Sequence, residues 1–290
     1  MQKCPLFPFI FTFTFSVSYL QYVKKECRIK MKKLIKQFVS LILVVFCIAG
    51  STLGASAESS CSWYIKRNGN KRPTFPKEAE FVSEHGGYYI DERCSYSDER
   101  KVIYLTFDAG YENGNIESIL DTLKAENVPA AFFLLDNIIL KNTDLVRRMA
   151  DEGHLVCNHT KNHKDLSCAG EEEIAKNLTA LEKIYEEKTG YEMAKYFRFP
   201  EGKYSKSALM AVEKLGYKTV FWSFGYDDWD NVRQPNEKKA IKKILDNTHN
   251  GAIFLFHPTS ETNAKIFPEL IRAWRDMGYS FGTLDELTAN

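Results

Sequence analysis

Two histidines four residues apart stand at the ends of His159-Thr-Lys-Asn-His163. On a helical turn this spacing puts both imidazoles on one face, where they could share a metal ion; a solvated surface pair is the plain alternative. Four more residues could do acid-base work. Asp108 closes an apolar run and is either the N-cap of the following helix or a general base. His257 closes another run before Pro258 and is either a satisfied core histidine or a general acid. Asp228, beside Trp229, is either a turn residue or a carboxylate that orients a histidine. Arg198 is either a surface ion pair of little weight or the partner that keeps Asp108 ionised.

The elements that must carry these residues follow from the hydrophobic pattern. Strand-like apolar runs at 102–107, 130–135, 154–157, 196–199, 219–224, 252–256 and 279–282 alternate with amphipathic helical stretches. The helical stretches fall at 115–126, 144–152, 171–188, 205–215, 236–247 and 264–277. Strands apolar throughout, separated by helices, predict an α/β plan of parallel strands covered by helices. About seven such units is a barrel-like count, and in α/β barrels the chemistry sits at the C-terminal strand ends. Thr106-Phe-Asp108, His159 to His163, Arg198-Phe-Pro-Glu-Gly202, Tyr226-Asp-Asp-Trp229 and Leu255-Phe-His257 all fall at such ends. Their coincidence is a stronger signal than any one of them.

The 290 residues are 44% hydrophobic, enough for a sizeable core, and carry 39 basic against 38 acidic side chains, too balanced for a nucleic-acid binder. That balance is uneven along the chain. Met31-Lys32-Lys33-Leu34-Ile35-Lys36 precedes an apolar stretch at 38–53, and Ala55-Ser56-Ala57 follows it, the layout of a secretory signal. The apolar core is shorter than the roughly 20 residues of a membrane span. A cleaved signal is therefore expected, with a retained membrane anchor through 38–53 as the alternative. Met31 is the expected true start, and 1–30 an upstream extension. Without the eight basic residues and one acidic residue before position 58, 31 basic and 37 acidic side chains remain, a formal charge of −6. This strengthens the exclusion of nucleic acid. Residues 58–100, with Pro73, Pro76 and Gly86-Gly87, read as an irregular N-terminal arm, and 101–290 as one domain. Export permits disulfides among Cys61, Cys94, Cys157 and Cys168; a Cys61–Cys94 staple and buried free thiols are equally open.

The order TFDxG, HxxxH, RxPxG, DW and LxH, spread over about 101–287, resembles the five motifs of NodB-type polysaccharide deacetylases, carbohydrate esterase family 4. These remove N-acetyl groups from sugar polymers. The resemblance implies a distorted (β/α)7 barrel and a hydrolase acting on carbon–nitrogen bonds. It also implies roles: Asp108 as catalytic base, His257 as general acid, Arg198 positioning the base and Asp228 tuning the acid. His159 and His163 would be metal-binding histidines, Trp229 and Leu255 walls of the acetyl groove, and the Glu201 backbone N–H the oxyanion donor.

Two departures bear on cofactor and substrate. The family's usual TFDD supplies a second aspartate as third metal ligand; Ala109 stands there and cannot ligate. That implies zinc at reduced affinity or a metal-independent site, with Cys157 a conceivable substitute ligand. Gly225 stands where many members place a further aspartate, four before the tryptophan. Ala109 followed by Gly110-Tyr111-Glu112-Asn113-Gly114 resembles the branch that deacetylates peptidoglycan N-acetylmuramic acid on the way to muramic δ-lactam in the spore cortex. The stretches 129–134, 148–154 and 221–223 are similar to that branch, and 63–91 weakly so. The implied setting is extracytoplasmic, at the cell wall or in the spore intermembrane space, with peptidoglycan strands as partner. A cation would help to hold the lactyl carboxylate, and Lys203 and Arg233 are the candidates. Competing expectations are an N-acetylglucosamine deacetylase and a wall-binding pseudoenzyme. A metalloprotease is disfavoured because no glutamate follows His159 as in HExxH.

Overall fold

The computed structural model describes residues 22, 24–26, 28, 30–34, 36–37, 59–94 and 100–289. The chain divides into two units, Met1–Ala57 and Glu58–Asn290. In the first, the described residues between 22 and 37 are helical (α1). The expected signal or anchor at 38–57 lies outside the described residues. Among the described residues no helix is long and apolar enough to cross a membrane.

The second unit is built on eight strands of one curled sheet. Five of them are β5 (Val102–Ala109), β6 (Ala131–Leu134), β7 (Leu155–Asn158), β8 (Ala194–Phe197) and β10 (Lys218–Val220), parallel neighbours in that order. β11 (Ile253–Phe256) and β12 (Ser280–Phe281) both pair with β5, parallel, and β4 (Gly87–Tyr88) pairs with β10. The helices between them are α3 (Asn115–Ala125), α4 (Asp136–Lys141), α5 (Thr143–Asp151), α6 (Glu171–Thr189), α7 (Lys206–Lys214), α8 (Glu237–Asp246), α9 (Glu261–Asp276) and α10 (Leu284–Thr288).

Alternation along β5 explains why the strands read as apolar throughout. Ile103, Leu105 and Phe107 pack outward with Leu120 of α3 and with Phe267 and Trp274 of α9. Tyr104 points the other way, into a second cluster with Phe133, Cys157 and Tyr196. Both faces are thus covered, which is the condition for a parallel sheet. The starts of α7, α8, α9 and α10 are fixed by side-chain caps from Ser205, Asn236, Ser260 and Thr283, the last in a capping box with Glu286.

The sheet's two edges meet through isolated bridges, Phe224 with Phe254 and Ile90 with Ala252. This closure accounts for a departure from the expected strand 219–224. β10 ends at Val220, after which the backbone changes partners: Phe221 N–H donates to the Tyr88 carbonyl, while the Ser223 and Phe224 N–H groups donate to Ile253.

The expected irregular arm is more ordered than its sequence suggests. It forms β1 (Cys61–Ser62), the antiparallel pair β2 (Lys66–Asn68) and β3 (Lys71–Thr74), a short helix α2 (Ala79–Glu84), and then β4 of the main sheet. Its few apolar residues lack periodicity because they converge from separate turns onto one spot. Trp63, 5% exposed, stacks on Phe221 at 4.6 Å, contacts Tyr89 at 5.0 Å and donates from Nε1 to the Trp222 carbonyl at 2.9 Å. The expected alternative of a Cys61–Cys94 disulfide is not formed: β1 pairs antiparallel with β9 (Lys203–Tyr204), setting Cys61 opposite Tyr204, while Cys94 lies buried against the Asp91 carbonyl.

Candidate active site

A cavity of about 710 Å³ opens at the C-terminal ends of β5, β7, β8 and β11. Asp108, His159, His163, Glu201, Trp229, Leu255 and His257 all line it. Arg198 and Asp228 lie behind this lining, both fully buried, Arg198 bonded to Asp108 and His159 and Asp228 bonded to His257.

Asp108 is the seventh residue of β5, on the inward face at the strand's end. Arg198 follows β8 and extends its guanidinium beneath it: Nη1 donates to Asp108 Oδ1 at 2.7 Å, Nη2 to Thr106 Oγ1 at 2.8 Å, and Nε to the Val220 carbonyl at 2.9 Å. The guanidinium also lies 4.1 Å from the Phe133 ring centroid. With three donors committed, its orientation is fixed. Burial pushes the Asp108 carboxyl up, but the charge of Arg198, then those of His159 and His257, more than offset it and hold its pKa below the usual carboxylate value. Asp108 is therefore a carboxylate able to accept a proton at neutral pH.

His257 follows β11. Its Nδ1 lies 2.8 Å from Asp228 Oδ1, and its backbone N–H donates to Asp228 Oδ2, also at 2.8 Å. Asn263 of α9 donates from Nδ2 to the same Oδ2 at 2.7 Å and to the His257 carbonyl at 3.1 Å. Burial pushes the imidazole pKa down, but the charge and hydrogen bond of Asp228 outweigh that and leave it raised. An imidazole whose acid form is favoured and a carboxylate base thus face one cavity.

His159 and His163 do come together, with ring centroids 5.1 Å apart, though not on the expected helical turn. The segment is a loop in which Thr160 and His163 take φ of +69° and +59°. Buried Asn158 holds it by accepting from Thr160 N–H at 3.0 Å, and Asn177 by accepting from Lys161 N–H at 2.8 Å. His159 Nδ1 donates to the Arg198 carbonyl at 2.9 Å, so its Nε2 lone pair is the free one, 3.5 Å from Asp108 Oδ2. Burial, opposed by Asp108, pushes the His159 pKa down to about 4.

Among the described residues the donor set lacks a third ligand for a metal ion. Ala109, 2% exposed, lines the cavity at the end of β5 but offers no ligating atom, and among the described residues no group of three ligating side chains forms. Cys157 is no substitute: it is wholly buried inside the barrel, absent from the cavity lining, and burial holds its thiol protonated. The residues present therefore do not fit the two-histidine, one-carboxylate arrangement.

Glu201, in the turn after Pro200, takes φ +56°, and the next residue, Gly202, takes φ +64°. A Cβ on Gly202 would lie 2.8 Å from the Trp222 ring and 3.0 Å from Trp63 Cβ, so only glycine fits. Leu255 is 8% exposed and Trp229 60%, the latter an open wall of the cavity. The two cations expected near a substrate carboxylate are placed elsewhere. Lys203 pairs with Glu201 at 2.7 Å and Arg233 with Asp230 at 2.7 Å, and neither lines the cavity. Asn158 and Asn263 carried no mark in the sequence and the role of Thr106 none beyond its motif, because each bonds partners distant along the chain: Leu178 and Tyr217, Asp228, and Arg198. Only Thr106 carried a signal, as the polar residue two before Asp108 in an apolar strand.

Comparison with known proteins agrees with this geometry. Residues 95–220 match the polysaccharide deacetylase family. An uncharacterized 30.6 kDa protein of Geobacillus stearothermophilus is 36% identical over 85% of this chain and 92% of its own length. The peptidoglycan-N-acetylmuramic acid deacetylase PdaA of Bacillus subtilis is 32% identical over 87% of this chain and 95% of its own. The solved structure of PdaA, described as a family 4 carbohydrate esterase, superposes with a TM-score of 0.74 over 79% of this chain and 97% of that one. A peptidoglycan-N-acetylglucosamine deacetylase of Listeria monocytogenes is 33% identical over 64% of this chain and 39% of its own. The chain belongs to the polysaccharide deacetylase family of NodB type, carbohydrate esterase family 4, hydrolases that act on carbon–nitrogen bonds.

Proposed function

We propose that the protein removes the N-acetyl group from N-acetylmuramic acid in peptidoglycan outside the cytoplasmic membrane. The observation that carries the chemistry is the pairing of Asp108 with Arg198 and of His257 with Asp228 around one cavity. The similarity to PdaA over nearly its whole length supports the sugar.

In the proposed mechanism Asp108 takes a proton from water as the water oxygen bonds to the acetyl carbon. The oxyanion that forms is held by the backbone N–H of Glu201. His257, protonated on Nε2 and steadied at Nδ1 by Asp228, gives that proton to the amide nitrogen as the carbon–nitrogen bond breaks. Acetate and the free amine result. The amine and the lactyl carboxyl belong to the same sugar residue, so they can then close to the δ-lactam with loss of water, as in spore cortex. As acetate leaves, Asp108 gives up the proton it took and His257 takes one up, which restores carboxylate and imidazolium for the next turnover.

His159 and His163 offer two imidazoles to a divalent cation such as zinc, which would polarise the acetyl oxygen when bound. With Ala109 at the third position the protein set is incomplete, and no step above is routed through a metal. His159 also acts without one, bonding the Arg198 carbonyl and so fixing the backbone that carries the guanidinium.

The test is mass spectrometry of peptidoglycan digested after incubation with the purified protein, with and without zinc. Released acetate is counted alongside the deacetylated sugars. Acetate from muramic acid residues is the expected result. Deacetylated glucosamine with intact N-acetylmuramic acid would assign the sugar to the alternative substrate, and glycan binding without acetate release would make the protein a wall-binding pseudoenzyme.

A further inference from the structure

The sugar proposed above differs from N-acetylglucosamine by a lactyl ether that ends in a carboxylate. A site that prefers it needs a positive charge facing the cavity. Among the described residues lining the cavity, Arg67 is the only lysine or arginine. It comes from β2, in the N-terminal segment that precedes the residues matched to the family.

The partners of Arg67 are neutral. Its Nη2 donates to the Gly225 carbonyl at 2.5 Å, and its guanidinium carbon lies 5.5 Å from the Phe224 ring centroid. Arg72, Lys203 and Arg233 are instead matched by Glu92, Glu201 and Asp230. Gly225 takes part in this arrangement. A Cβ there would meet the Trp222 indole at 3.3 Å, and an acidic side chain would place a second carboxylate beside the guanidinium. Asp227 also lines the cavity, but no ion pair joins it to Arg67. A guanidinium has five N–H donors in a planar fork, so a single carbonyl leaves a face able to take a carboxylate with two hydrogen bonds.

We propose that Arg67 receives the lactyl carboxylate and sets the preference of the site for N-acetylmuramic acid over N-acetylglucosamine. The assignment rests on the function proposed above and deepens it. It makes the N-terminal segment part of the substrate site, with the deacetylation machinery on the barrel and the sugar-selecting charge on the hairpin.

The test uses the full chain and peptide-free glycan oligosaccharides whose muramic acids carry free carboxyls, compared with the same oligosaccharides after methyl esterification. For the native protein, masking the carboxyl should lower kcat/KM by about 10- to 100-fold, the worth of a hydrogen bond to a charged group. Arg67→Gln, which can still donate to Gly225, should lose a similar factor on the free acid and little on the ester. Arg67→Lys should fall between the two. Equal losses on both substrates would show a structural role and overturn the assignment, as would full activity of Arg67→Gln on the free acid. Action of the native protein on N-acetylglucosamine alone would overturn the substrate reading and this assignment with it, whereas an intact muramic activity insensitive to residue 67 overturns only the latter.

Discussion

Asp228 grips His257 twice, its Oδ1 2.8 Å from the imidazole Nδ1 and its Oδ2 accepting the backbone N–H of the same residue at 2.8 Å. One carboxylate thus sets the ring's tautomer, its orientation and its charge. Replacing it should disturb acid catalysis more than structure.

Asp228→Asn keeps the shape and removes the charge that raises the His257 pKa. The acid form, present below that pKa and lost as pH rises through it, should be lost at lower pH in the variant. The expected result is a fall in kcat/KM of about 10²- to 10⁴-fold at neutral pH, with the basic limb of the pH–rate profile moved toward acid. An unmoved basic limb would assign the proton donor elsewhere.

Asp108→Asn and His257→Ala should each cost on the order of 10²- to 10⁴-fold in rate with the fold retained. Their effects on stability should differ. Asp108→Asn strips the buried Arg198 of its counter-charge, a change that costs about 3–5 kcal/mol in buried ion pairs. The His257 side chain is 27% exposed, and its removal should cost less. Urea denaturation of the two variants measures the difference.

Gly202→Ala would force a side chain into left-handed backbone and against Trp222 and Trp63. A loss of about 1–3 kcal/mol is expected. Activity should fall further than the lost stability explains, because the neighbouring Glu201 N–H moves with the turn. Thermal melting and kcat of the same preparation, measured below the melting range, separate the two effects.

Acid should destabilise the fold well above the carboxylate range. Burial pushes His154 and His249 down to about 4, against about 6.5 unfolded. Their protons bind the unfolded chain more tightly, so stability is fully present above about 6.5 and is lost as pH falls toward 4, by roughly 3 kcal/mol for each histidine. Urea midpoints from pH 8 to 4.5 should be flat above 7 and fall below it. His249→Gln should flatten the curve, since its ring joins Ser223 and the Asn247 carbonyl by bonds of 2.9 Å that do not require a charge.

Zinc should bind the native protein weakly, and Ala109→Asp should tighten it by more than the roughly 10- to 100-fold that outer-shell partners command. Calorimetric titration of both proteins reads this directly. Equal affinities would show that position 109 does not face the metal.

From Val102 onward the alternation of strands and helices, and the residues at the strand ends, could be read from the amino-acid order alone. Burial on both faces leaves an unbroken apolar run, and a polar residue that ends such a run stands out. Asp108, His159, Arg198, Asp228 and His257 were legible for that reason. Pairings between distant segments leave no such trace. The two-residue strand Gly87–Tyr88 is too short to show a period, and nothing local ties Arg67 to Gly225, 158 residues away. In sequence Lys203 and Arg233 were the candidate cations and Arg67 was not; their neighbours Glu201 and Asp230 neutralise them because the backbone turns bring each pair together. Tertiary structure alone decided which positive charge faces the cavity, because that depends on which carboxylates the folded chain has already placed against the others.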